Sequence, residues 1–207
     1  TLQYSAANQV DYSARVAGTA NQAIKIDTNG QEVTFATALT GAGTTLTKLG
    51  EGTLTLTAAN AYTGDTNISA GTLKVTGALA DSTDVVVALG ATYAVEAADT
   101  IQSLSGAGTI ELASGITLTT GDSSNQTVSG VIQGAGTLSK VGSGTLTLTL
   151  NVPEGGEASF TVRLAQAPAS SVTVSTVQPR TVNVWRDFSG RLEAVDRVQI
   201  RARVAGA

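Results

Sequence analysis

Two pairs of carboxylates stand close enough along the chain to suggest acid–base work: Asp81 with Asp84, and Glu96 with Asp99. Glycosidic-bond chemistry runs on such pairs, one carboxyl protonated and one ionised, and needs burial to drive their pKa values apart. Both pairs lie in sequence that reads as solvated loop, so surface turns are the expectation. The chain contains no His and no Cys, which removes the commonest general base and the thiol nucleophile. No enzyme is predicted, and no catalytic residue is nominated.

Asp122 with Asn125, and Glu154 with Glu157, carry oxygens of the kind that bind calcium. No EF-hand spacing accompanies them and no Gly-Gly-x-Gly-x-Asp array recurs. Turn and strand-end hydrogen bonding accounts for these residues more simply, so neither metal nor cofactor is expected. Gly41-Ala42-Gly43 and Gly134-Ala135-Gly136 superficially resemble phosphate loops. A dinucleotide fingerprint needs a following helix; these glycines read instead as corners between strands, where positive φ is needed. Threonine rows (Thr53, Thr55, Thr57 and Thr145, Thr147, Thr149) suggest the hydroxyl arrays of ice-binding β-helices. Threonine is also a good strand former on a solvated face, and the rows do not recur at every turn of the chain. Asn67-Ile68-Ser69 and Asn125-Gln126-Thr127 are glycan acceptor sequences, which support a surface location only.

The elements that must position these residues are short strands. Within Leu46–Val75 two alternating runs, 53–57 and 72–75, flank a polar, glycine-bearing corner over 58–71. Alternation places Leu54 and Leu56 on one face and the threonines on the other, as in a half-buried strand. GAGTTLTKLGEGTLTLT (41–57) reappears as GAGTLSKVGSGTLTLT (134–149), and Gly106-Ala107-Gly108-Thr109-Ile110 repeats its opening. Recurrence of a strand–turn–strand unit is the mark of a solenoid, in which each rung buries its apolar face against its neighbours.

The 46–75 unit resembles the passenger-associated repeat of bacterial autotransporters. Leu46, Lys48, Gly50, Gly52-Thr53-Leu54, Asn60, Tyr62-Thr63-Gly64, Thr66, Ile68 and Gly71-Thr72-Leu73 carry the match, and the likeness extends over residues 39–150. The resemblance implies a right-handed parallel β-helix displayed at the cell surface.

Composition agrees with thin stacked rungs. Of 207 residues 23 are Gly, aromatics make up 4%, and charged residues 14% against 42% hydrophobic, too apolar for disorder by composition. The formal charge of −4 argues against nucleic-acid binding. No apolar run approaches the roughly 20 residues that span a bilayer. The first residue is Thr1 and no signal peptide is read, which fits a processed product or fragment.

Further strands are expected at 10–16, 23–27, 32–36, 84–89 (buried on both faces), 92–95, 101–104, 110–112, 116–118, 128–132 and 138–141, with a turn at Thr28-Asn29-Gly30. Beyond Leu150 the character changes. Seven of eight arginines, all three prolines and Trp185 lie there, and the charge is −6 for 1–150 but +2 for 151–207. A boundary near Asn151 follows: a solenoid over 1–150 and a β-rich extension over 151–207. Val152 to Leu164 is similar to the opening of a Calx-β domain, a calcium-binding sandwich; that likeness covers 152–176. Residues 172–207, through Phe188, Ser189-Gly190, Glu193-Ala194, Val198, Ile200-Arg201 and Arg203 to Gly206, resemble periplasmic adaptors of tripartite efflux pumps.

The expected architecture is all-β: a right-handed parallel β-helix or solenoid with a C-terminal strand extension or partial β-sandwich. The expected function is a non-enzymatic, secreted structural protein, a β-helical stalk or self-assembling fibre subunit at a bacterial cell surface, serving adhesion or extracellular matrix. Self-association through strand edges or stacked ends, and host-surface or matrix glycans, are the expected partners. A fragment of an efflux-pump adaptor is the alternative.

Overall fold

A computed structural model shows a parallel β-solenoid of about seven turns, with almost no helix among the described residues. The structure describes residues 1–16, 18–151, 161–164, 172–177 and 198–199, with side chains through Thr149. The first face is a nine-stranded sheet: Leu2–Gln3, Ala23–Asp27, Thr45–Leu49, Thr66–Ile68, Asp84–Val87, Ser103–Gly106, Gln126–Val128, Leu146–Asn151 and Val172–Val177. Gln31–Phe35, Gly52–Leu56, Thr72–Val75, Thr92–Val95, Thr109–Leu112 and Val131–Gly134 stack as the second. On the third face Asp99–Ile101, Thr117–Thr120, Thr137–Lys140 and Thr161–Leu164 pair in turn. Thr40–Gly41 pairs with Ala61–Tyr62 in earlier rungs. Among the described strands every pairing is parallel except that of Thr161–Leu164 with Val198–Gln199.

Register keeps like over like. Leu54, Leu73, Tyr93 and Ile110 form one interior column of the second face, and Leu56, Val75, Val95 and Leu112 the next. All eight are essentially inaccessible to solvent, and burying each such side chain is worth about 1.5–3 kcal/mol. A slip of one residue would turn these columns outward, so the apolar pattern holds the rungs in register.

Several expected strands differ. Residues 10–16 form a 3₁₀ turn at Ser13–Arg15, not a strand, because this segment closes the first rung. Asp11 Oδ1 accepts from the N–H of Ser13 (2.7 Å) and Oδ2 from that of Ala36 (2.9 Å), while Ser13 Oγ accepts from the N–H of Thr37 (2.9 Å). Tyr4 packs beneath, its ring 6.5 Å from Phe35 and 6.2 Å from Tyr12, and Arg15 lies over Tyr12. The main-chain N–H groups of Ala36 and Thr37 are thereby satisfied.

The strand expected over 84–89 is Asp84–Val87 and is buried on one face only: Val86 points outward and Leu89 is 83% exposed. The expected corner at 58–71 holds two further strands, Ala61–Tyr62 and Thr66–Ile68. The stretches 101–104 and 128–132 each bend across a corner and contribute to two faces. Two- and three-residue strands are too short for alternation to reveal. The turn at Asn29-Gly30 is present, with both residues at positive φ.

Backbone pairing continues beyond Asn151 where it is described. Thr161–Leu164 pairs with Thr137–Lys140, and Val172–Val177 with Leu146–Asn151. Most of the Calx-β-like and adaptor-like segments, including Glu154, Glu157, Trp185 and all the tail arginines except Arg163, lies outside the described residues.

Candidate functional site

The densest set of specific interactions is the corner unit of 46–75, and it is directed inward. Lys48 lies in the interior column between Ile26 and Ile68 and is fully buried. Its ammonium reaches the corner and donates to the carbonyls of Leu49 (3.0 Å), Gly50 (2.7 Å) and Ala70 (3.1 Å). The Ala70 bond joins one rung to the next. Burial lowers its pKa to about 8, against the raising influence of Asp27, Glu51 and Glu32. Gly50 and Gly52 turn the chain at positive φ. Gly71 sits under them: a Cβ there would meet the carbonyl oxygens of Gly52 and Gly50.

Asn60 clasps the other end of the rung. Its Oδ1 accepts from the N–H of Leu39 (2.9 Å), and its Nδ2 donates to the carbonyls of Ala58 (2.9 Å) and Ala78 (3.0 Å), spanning three rungs. The buried Tyr62 hydroxyl and Thr66 Oγ1 are 2.6 Å apart. Thr63 Oγ1 accepts from the N–H of Gly43 (2.9 Å). Gly64 lies against the Thr44 carbonyl, where a Cβ would come within 2.6 Å. Most of the residues that carry the family resemblance thus build the rung.

Lys140 repeats the Lys48 arrangement, donating to the carbonyls of Val141 and Gly142, and burial lowers its pKa too. The two similar segments occupy different faces, however. Thr45–Leu49 belongs to the first face and its counterpart Thr137–Lys140 to the third. The unit repeated in sequence is therefore a corner, usable at more than one vertex, rather than a whole rung.

Of the nominated carboxylates, Asp81 is exposed and Asp84 Oδ1 accepts from Ser103 Oγ (2.6 Å) and Gln102 Nε2 (3.2 Å). Glu96 forms an ion pair with Lys74 at 2.8 Å. Asp99, expected in a solvated loop, is instead buried, because it opens a strand and its side chain turns into the solenoid. The structure therefore does not bring Glu96 and Asp99 together as a pair. Burial raises the Asp99 pKa to about 6, against the lowering effect of its bonds from the N–H groups of Leu79 and Thr100. Asp122 forms a local turn with Ser124, whose hydroxyl and N–H hold the carboxyl below the usual range. Asn125 Oδ1 accepts from the N–H of Thr145 (2.9 Å). Among the described residues no three acidic, His or Cys side chains gather as metal ligands.

Outward, Thr53, Thr72, Thr92 and Thr109 stack over four successive rungs. Sequence reading looked for rows along a strand and missed this column, whose members are unevenly spaced in the chain. The neighbouring column runs Thr55, Lys74, Ala94, Glu111, so charges interrupt a two-column hydroxyl grid. Gly41, Gly43, Gly106 and Gly134 adopt positive φ at corners, and Asn67 faces outward from a first-face strand.

Residues 46–75 match the model of the passenger-associated-transport-repeat family. No curated protein and no solved structure matches the chain. The repeat is one found in autotransporter passengers, and the parallel solenoid around it is the fold that the resemblance implies.

Proposed function

We propose that this chain is a length of non-enzymatic β-helical stalk or fibre subunit displayed at a bacterial cell surface, serving adhesion or matrix. The repeat match carries the reading: Lys48, Asn60 and the buried leucines of 46–75 are used for corner, clasp and core, and every added rung extends the same scaffold. On the second face the outward columns carry threonine and isolated charges, a largely polar surface suited to contact. In this reading the solenoid occupies 1–150 with an extension over 151–207, and the protein is secreted. Self-association would use strand edges or the stacked ends of the solenoid. Host-surface or matrix glycans are the proposed ligands of an adhesive form.

Electron microscopy and sedimentation of the purified chain test the structural part. Rods that lengthen with concentration are expected; a monodisperse monomer at high concentration would remove the fibre assignment. Cells displaying the chain should bind matrix-coated surfaces better than cells lacking it, and equal binding would remove the adhesive role. Turnover on a glycan panel above a heat-inactivated control would overturn the non-enzymatic reading.

A further inference from the structure

Asp99 and Asn60 hold corresponding places two rungs apart. Each follows two alanines, Ala58-Ala59 and Ala97-Ala98. Each accepts from the main-chain N–H of a leucine in the preceding rung: Leu39 to Asn60 Oδ1 at 2.9 Å, Leu79 to Asp99 Oδ2 at 3.0 Å. The difference is the donor. Asn60 Nδ2 donates to two carbonyls, whereas an ionised Asp99 has no hydrogen to give. Its oxygens are met by the N–H groups of Leu79 and Thr100 alone among the described hydrogen bonds.

No cation balances the charge among the described residues. Tyr93 faces it from Thr92–Val95, Tyr62 from Ala61–Tyr62, and Asp81 from the segment preceding Asp84–Val87. Leu118 seats on it from Thr117–Thr120 in register. The Tyr93 hydroxyl is itself buried with no hydrogen-bond partner among the described residues. A charge in such a place is costly, and a neutral group that both donates and accepts is favoured.

We infer that Asp99 is a proton-operated clasp between rungs, closed when its carboxylate takes a proton from solvent and loosened when it gives that proton back. Protonated, the carboxyl gains the hydrogen that Asn60 has and an ionised Asp99 lacks, and still accepts from the N–H of Leu79. Only the O–H bond forms or breaks. Because burial places the titration near pH 6, the seam at Leu79 tightens on mild acidification of the medium. This property does not depend on the adhesive role.

The test uses the full chain. The carboxyl carbon of Asp99, followed by NMR, should titrate with a midpoint near 6; a midpoint near the ordinary value of about 4 would overturn the inference. Hydrogen exchange at the Leu79 amide, corrected for intrinsic rate, should slow by about tenfold or more between pH 7.5 and pH 5. In Asp99→Asn the corrected rate should be flat with pH; the same slowing in that variant would also overturn it. Asp81→Asn should retain the response. Should Asp99→Asn fail to fold, the wild-type titration and exchange decide the matter together.

Discussion

Lys48 Nζ lies 3.1 Å from the carbonyl oxygen of Ala70, so a side chain rooted in one rung closes the corner of the next. Its stem fills an aliphatic column while the ammonium gathers three carbonyls that the sharp turn would otherwise leave short of donors. Lys48→Met keeps most of the volume and removes the donors. A loss of about 1–2 kcal/mol at neutral pH is expected, read as a lower urea midpoint with an unchanged slope. The folded pKa near 8 lies below the ordinary 10.5, so the native state releases this proton first. Wild-type stability should therefore grow relative to the variant as pH rises from about 8 towards 10.5.

Gly71 and Gly90 both have positive φ but differ in surroundings. Gly71→Ala drives a methyl group into the carbonyls of Gly50 and Gly52, backbone that cannot retreat without parting the rungs. The expected cost is about 3 kcal/mol. Gly90 has nothing within 4 Å of such a methyl, and Gly90→Ala should cost about 1 kcal/mol, the conformational penalty alone. Paired thermal melts distinguish the two; equal losses would mean that close approach at Gly71 contributes nothing.

Much of the scaffold was legible because alternation and β-branched composition mark strands of four residues or more. Thr53 to Leu56 and Thr72 to Val75 show their buried face without any structure. Lys48 was legible as a residue of the repeat but not as an interior one, since charge in an alternating run normally signals the wet face; only the following Gly-x-Gly hints at a corner that needs a cation. Asp99 was misread because two alanines and an acid look like loop, and the leucine N–H that it accepts lies 20 residues earlier. The threonine column escaped because its members belong to different rungs, and unequal corner lengths hide the period.

Tyr93 carries a hydroxyl in the interior with no partner among the described residues. Its pKa stands well above the ordinary range, through burial first and the Asp99 charge next. Tyr93→Phe removes the unsatisfied group while keeping the ring in its column, and should raise stability by about 1 kcal/mol. A lower melting temperature would show that the hydroxyl makes a favourable interaction in solution.

Lys74 and Glu96 form a close pair on a solvated face. Long side chains and screening leave such pairs about 0–1 kcal/mol. A double-mutant cycle with Lys74→Ala and Glu96→Ala should give a coupling of about 0.5 kcal/mol that fades in high salt. A coupling well above 1 kcal/mol, unaffected by salt, would contradict the exposed placement.

Asn60→Asp would transplant the Asp99 chemistry to the repeat. The new carboxylate could still accept from the N–H of Leu39 but would oppose its charge to the carbonyls of Ala58 and Ala78, to which Asn60 now donates. Burial and those carbonyls both favour the protonated form, raising the folded pKa above the unfolded value of about 3.9. A carboxyl raised in this way confers its full stability below the unfolded pKa and loses it as pH climbs through the folded pKa. The variant should therefore be about 3 kcal/mol less stable than wild type at pH 7.5 and recover most of that by pH 4. Thermal melts of both proteins across that range check the sign. A deficit that is constant with pH would mean that the loss comes from packing rather than from the proton.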